Sequence, residues 1–132
     1  MVDPITLEVL RNRLDAIANE MQVTLLRSAV SVILKEGEDC SCGLFDLAGE
    51  TIAQACANPL HLGIMSPAVR TFLEVFPPAT FADGDVYVLN DPYMGGTHLP
   101  DVILAAPIFV NGRAVAVSAA LAHQEDMVGK TP

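Results

Sequence analysis

The sequence predicts an α+β fold: a long N-terminal helical segment followed by β-hairpins in a mixed, mostly antiparallel sheet, with one short intervening helix. Three observations predict it. Apolar residues recur at steps of three and four along the N-terminal stretch. Two apolar, β-branched runs further on are joined by Asn111-Gly112, the strongest short-range hairpin signal. Helical and extended stretches also follow one another without regular βαβ units. With 132 residues, the chain suits one cooperative unit and is too short for two of ordinary size. No linker, repeat or low-complexity tract divides it, so residues 1–132 are read as a single unit.

Asp3-Pro4 opens the first helix, pairing an N-cap with a proline at the first helical position. Leu7, Leu10, Leu14, Ile17, Met21 and Leu25 form its stripe. Near residues 27–31 the stripe rotates to Leu26, Val30 and Ile33, which predicts a break or a second helix ending by Gly37. Arg11, Arg13 and Arg27 read as solvated or paired with acids such as Asp15 and Glu20. Residues 41–47 and 51–56 flank Ala48-Gly49-Glu50 and predict a first hairpin. A loop carrying Asn58-Pro59-Leu60-His61-Leu62-Gly63 follows. Ser66-Pro67 then begins a short helix to about Phe76, and Pro77-Pro78 stop it. Residues 86–89 form a brief strand, and residues 102–110 and 114–121 form the second hairpin around Asn111-Gly112.

Composition narrows the function. Hydrophobic residues make up 52% and charged ones 17%, so burial against further chain or a partner is expected. Seven basic against sixteen acidic residues give a net charge of −9, which repels nucleic acid and anionic membranes. Residues 1–4 lack the basic and apolar segments of a signal peptide, and no apolar run is long enough to span a bilayer, so the expected location is cytoplasmic. The three cysteines, Cys40, Cys42 and Cys56, read as reduced thiols, because Cys-x-Cys is too tight for an ordinary disulfide or a CxxC centre. GxGxxG, P-loop and GxSxG motifs are absent from the sequence, so nucleotide binding by this piece is unsupported.

The stretch Asn90-Asp91-Pro92-Tyr93-Met94-Gly95-Gly96-Thr97-His98-Leu99-Pro100-Asp101 carries the chemistry. It places an imidazole and a carboxylate three residues apart in a glycine-rich loop, and His123 lies one hairpin further on. Two histidines and a carboxylate make a divalent-metal donor set that leaves positions open for water or substrate. Counting back from Val110 opposite Arg113 places His123 opposite Pro100, between His98 and Asp101 in height. A regular ladder, however, puts His98 and His123 on one face and Asp101 on the other. Pro100 and Pro107 predict an edge or bulged strand in which that alternation is relaxed. The same residue types also serve any tight loop, and a lone histidine is often only a hydrogen-bonded structural group.

Further candidates surround this set. His61 either reaches the same cleft or bonds to backbone. Asp126 repeats the His-x-x-Asp spacing after His123 and suits a ligand, a partner for an imidazole, or an N-cap. Asp91, Gly95 and Gly96 are candidates for ligand-proximal or substrate-binding positions, although Gly95-Gly96 also suits a tight turn. Asp39 and Asp46 are assigned turn duty.

The loop motif, together with Ala122-His123-x-x-Asp126, resembles the hydantoinase B/5-oxoprolinase family, which includes the matching subunit of acetone carboxylase. Asp3-Pro4-Ile5-Thr6-x-Glu8-Val9, Ser41-Cys42-x-Leu44-Phe45-Asp46, Ile52-Ala53-Gln54 and His61-Leu62-Gly63 are similar in the same order. The resemblance implies a B-type component acting with a hydantoinase A-like, ATP-using partner. That partner phosphorylates a small cyclic amide, and the B-type component completes hydrolysis; in the acetone carboxylase branch it completes a carboxylation. It further implies a metal at His98, Asp101 and His123, manganese by analogy with that branch, with zinc or iron also compatible with the donors. No acid, base or nucleophile is assigned. Val128 stands where relatives often carry the first glycine of a pair, leaving Gly129. Because relatives are several times longer, the chain is expected to be an N-terminal portion that needs the rest of the B-type chain and is inactive alone. The alternatives are a carboxylase subunit and a truncated, non-catalytic assembly module.

Overall fold

The computed structural model describes residues 2–125. Helix α1 spans Pro4–Ser28, and the Asp3 side chain accepts from the amides of Ile5 and Thr6, satisfying two donors that a helix start leaves free. Extended backbone at Ala29 and Ser31 breaks the helix where the apolar stripe turns, and α2 (Val32–Gly37) follows. Strands β1 (Cys40–Phe45) and β2 (Thr51–Gln54) form the first hairpin. The Asp46 carboxylate accepts from the amides of Ala48 and Glu50, which is the turn duty expected of it.

Helix α3 spans Pro59–Val75 and so starts earlier than expected. Asn58-Pro59 supplies the cap: the Asn58 side chain accepts from Leu60 N, and Pro59 needs no partner at the first position. Pro67 lies within this helix and removes only one interior donor. Consequently His61 occupies the first helical turn, not a loop.

After β3 (Tyr87–Leu89), strands β4 (Asp101–Val110) and β5 (Arg113–His123) form the long hairpin. The strand order is β2-β1-β5-β4-β3, and every ladder is antiparallel. Helix α3 covers one face, burying Phe45, Met65, Val69, Phe72, Ile103, Val117 and Leu121 together. Full burial contributes roughly 1.5–3 kcal/mol for each such large side chain. Helix α1 packs on the other face, where Ala18 meets Cys42, Leu44, Ala53 and Ala55. The stripe of α1 divides along its length: Leu14, Met21 and Leu25 pack on the sheet, whereas Leu7, Leu10 and Ile17 stay exposed.

The register of the long hairpin differs from a count made from its turn. Asn111 and Gly112 take positive φ, as a tight hairpin turn requires, and Val110 does pair with Arg113. Between Ile108 and Phe109, however, the register shifts: Phe109 pairs with Ala114 while Ile108 pairs with Ala116. Val115 is thus an extra residue, a bulge, and everything beyond it moves by one place. His123 therefore stands opposite Asp101, not Pro100. Since directly opposed residues point to the same face, the bulge removes the parity conflict and turns both groups toward the α3 side.

Candidate metal centre

The loop from Asn90 to Pro100 is pinned so that His98 folds back over the start of β4. Asn90 Nδ2 donates to Leu99 O across the base of the loop, at 3.1 Å. The Asp91 carboxylate accepts from Tyr93 N and caps a short 3-10 turn at Pro92–Met94. Gly95 has φ +93, and a Cβ there would sit 2.9 Å from Ala68 Cα of α3; one at Gly96 would sit 2.9 Å from Asp91 O. Both glycines thus let the loop lie flat on α3 and on itself. Asp101 N donates to His98 O at 3.1 Å, closing the turn that sets the two side chains together.

Three donor atoms meet there. His123 Nδ1 is 2.9 Å from Asp101 Oδ1, His98 Nε2 is 3.1 Å from the same oxygen, and the two nitrogens are 3.1 Å apart. Ligands about 2.1 Å from one ion and at right angles to each other lie about 3.0 Å apart. The triangle is therefore the size of one face of a coordination octahedron, and two imidazoles with one carboxylate are a donor set that suits manganese, iron or zinc. The remaining positions would face outward. Exposure grades across the triangle: the Asp101 side chain is 4% exposed, His123 21% and His98 53%.

Asp101 is held as an anion by its neighbours. Burial alone would push its carboxyl up, but hydrogen bonds from Thr97, His123 and His98, with the charge of His98, together hold it below the ordinary value. Thr97 Oγ1 donates to Oδ2 in a short contact, which leaves Oδ1 as the oxygen turned to the histidines. The cysteines lie elsewhere: Cys40 and Cys42 are buried against the α1 side of the sheet, and burial, then the neighbouring Cys40, pushes Cys42 up to about 12. They are thiols, not thiolate ligands.

A cleft of about 320 Å³ opens beside the triangle. Its far wall is the start of α3, with Asn58, Leu60 and His61, and Asp39 completes it. His61 is 3% exposed and places Nε2 3.3 Å from Asp39 Oδ1. Asp39, whose sequence context suggests only turn duty, is therefore part of the site. It gets there because Cys40 pairs with Ala122, which sets the preceding residue beside His123, and His123 N donates to Asp39 O at 3.0 Å. Finding it from sequence would require knowing that β1 pairs with β5. Asp126, the other acidic candidate, lies outside the described residues, as do Val128 and Gly129. Asp91, Gly95 and Gly96 shape the loop without lining the cleft.

The pattern of the hydantoinase B/oxoprolinase family matches residues 3–132. The chain belongs to that family. It is 37% identical to a 5-oxoprolinase of Dictyostelium discoideum over 131 residues, covering 99% of this chain and 10% of that protein. It is also 38% identical to 5-oxoprolinase 1 of Arabidopsis thaliana over 132 residues, covering 100% of this chain and 10% of that one. Among solved structures, the ATP-dependent caprolactamase from Pseudomonas jessenii superposes with a TM-score of 0.86 at 33% identity, over all of this chain and 23% of its own. Nucleotide-free acetone carboxylase gives 0.81 at 25% identity, over 92% of this chain and 16% of its own. The chain thus spans between a tenth and a quarter of the length of these relatives. Among the described residues no helix is long and apolar enough to cross a membrane.

Proposed function

We propose that this chain is the metal-bearing N-terminal portion of a B-type component of an ATP-dependent hydantoinase or 5-oxoprolinase. It would take part in hydrolysis of a small cyclic amide after an A-type, ATP-using partner has activated it. The observation that carries the reading is the triangle of His98 Nε2, Asp101 Oδ1 and His123 Nδ1, with edges of 2.9–3.1 Å, on the wall of a cleft. The cleft lies at the small end of the ligand-pocket range of ~300–1,000 Å³, which suits a small ring and not a polymer.

A divalent ion, manganese by family likeness and zinc or iron by donor chemistry, would polarise a carbonyl or a phosphorylated group and ease ionisation of water at the site. The residues of the chain do the rest. Asp101 brings a buried charge that is fixed before any ligand arrives. Thr97 occupies its second oxygen and keeps the first one turned to the cluster. His98, the most exposed of the three, forms the rim across which substrate would enter.

Hydrolysis is favoured over carboxylation because the caprolactamase, a protein whose name denotes attack on a cyclic amide, is closer in both identity and fold than acetone carboxylase. The test is turnover of a hydantoin or 5-oxoproline by the chain together with the remainder of a B-type protein and an A-type partner. The expected result is ATP-dependent ring opening without bicarbonate, lost in His98→Ala and His123→Ala. Ketone- and bicarbonate-dependent ATP consumption instead would assign the carboxylase branch, and no turnover of either kind would assign an assembly module.

A further inference from the structure

We infer that His61 is a positioning residue of the metal centre, acting through Asp39: it holds the Asp39 carboxylate so that one oxygen stays turned to the His98–Asp101–His123 triangle. The inference rests on the metal site proposed above. His61 Nε2 and Asn58 Nδ2 both lie 3.3 Å from Asp39 Oδ1. The other oxygen, Oδ2, lies 3.8 Å from His123 Nδ1. Two donors on one oxygen thus set which oxygen is left for the cluster. The backbone of Asp39 is held independently, through the hydrogen bond from His123 N to its carbonyl.

The tautomer of His61 follows from burial. Its Nδ1 is buried and has no hydrogen-bond partner. A proton there would be a buried donor with nothing to accept it, which favours the tautomer with the proton on Nε2, the nitrogen 3.3 Å from Asp39 Oδ1. An apolar residue of the same volume would fill this place in the first turn of α3 without burying any polar atom. The imidazole is explained by the carboxylate that it faces. Asp39 then adds a second negative charge beside a bound cation without being buried itself, its side chain being 31% exposed. Metal ligands and the groups beside a bound ion commonly depend on such outer partners, whose loss costs roughly 10–100-fold in metal affinity.

The experiment is titration of the intact chain with Mn²⁺ by calorimetry, with the Mn²⁺ paramagnetic resonance spectrum as a second readout. His61→Phe keeps the ring and removes the donor; its Kd is expected to rise roughly 10–100-fold, with an altered spectrum and unchanged circular dichroism. His61→Gln, which returns an amide donor near Nε2, is expected to recover most of that loss. Asp39→Ala is expected to weaken binding at least as much as His61→Phe, and the double variant no further than Asp39→Ala alone. Wild-type affinity in a folded His61→Phe chain overturns the inference, as does a double variant weaker than Asp39→Ala by the full His61→Phe factor. Should His61→Phe not fold, Asp39→Ala decides, since it leaves α3 untouched: unchanged affinity there overturns the inference. A wild-type chain that binds no Mn²⁺ sinks the metal site itself, a separate result.

Discussion

At the tip of the β4–β5 hairpin, Asn111 and Gly112 turn the chain by their own positive φ angles, and a Cβ on Gly112 would meet nothing within 4 Å. At the open end of the same hairpin, Asp101 and His123 face each other, and their neighbours come from two other segments: Thr97 and His98 from the loop, and Asp39 from just before β1. The tip is built from two adjacent residues and is open to solvent. The open end is assembled from segments far apart in sequence. Local chemistry suffices for a turn, whereas a donor triangle needs the whole sheet in register, so damage should be tolerated at the first and not at the second.

The sharpest contrast comes from removing the shared acceptor. Asp101→Ala takes away the one carboxylate that both histidines face. Mn²⁺ affinity should fall by at least ~100-fold, beyond what loss of an outer partner costs. Asn111→Ala at the tip should leave affinity unchanged, and titration calorimetry on the two variants reads the difference.

Deleting Val115 probes the link between the two ends. Without the extra residue the ladder would run unbroken from the Val110–Arg113 turn, with Ala116 still opposite Ile108 and His123 still opposite Asp101 on the same face. Metal affinity should therefore stay within a few-fold of wild type, in contrast to Asp101→Ala, while far-UV circular dichroism still reports strands. A folded deletion variant that no longer binds would show that the bulge itself, and not the pairing of Asp101 with His123, sets the site.

Two glycines give a smaller, purely structural version of the contrast. Gly95→Ala introduces a Cβ 2.9 Å from Ala68 Cα at φ +93, combining overpacking with backbone strain, and should cost about 2–4 kcal/mol. Gly112→Ala at φ +75 meets only open space and should cost about 1 kcal/mol. Urea unfolding of both variants checks the ranking, and equal losses would contradict it.

The smallest effect is on acid stability. The folded-state carboxyl of Asp101 is held below its ordinary value: burial pushes it up, and the hydrogen bonds from Thr97, His123 and His98 outweigh that push. Its stabilisation is therefore fully present above the ordinary carboxylate range of about 4 and is lost as pH falls through that range toward the depressed value. Metal-free Asp101→Asn should show a flatter loss of urea stability as pH falls from about 5 to about 3 than the wild type.

Much of this architecture is legible from local signals. Asp3-Pro4, Asn111-Gly112 and the two β-branched runs act through backbone rules that need no partner, and the helix, the break near residue 29 and both hairpins follow from them. Asn58-Pro59 carries the same kind of signal, yet Ser66-Pro67 competes with it as a helix start, because a proline more often opens a helix than lies within one. The three donors are legible as types, but their meeting is not derivable from alternation, because a bulge at a valine among other apolar residues has no local signature. Asp39 is least legible. Its place depends on β1 pairing with β5 across most of the chain, and nothing in Glu38-Asp39-Cys40 announces that partner.

The proposed function stands or falls with one divalent cation held jointly by His98, Asp101 and His123. Anomalous scattering from crystals of the chain grown with Mn²⁺ would locate that ion. One strong peak is expected, about 2.0–2.3 Å from His98 Nε2, Asp101 Oδ1 and His123 Nδ1 together. A triangle that stays unoccupied at saturating Mn²⁺, or a peak held by other side chains, would contradict it.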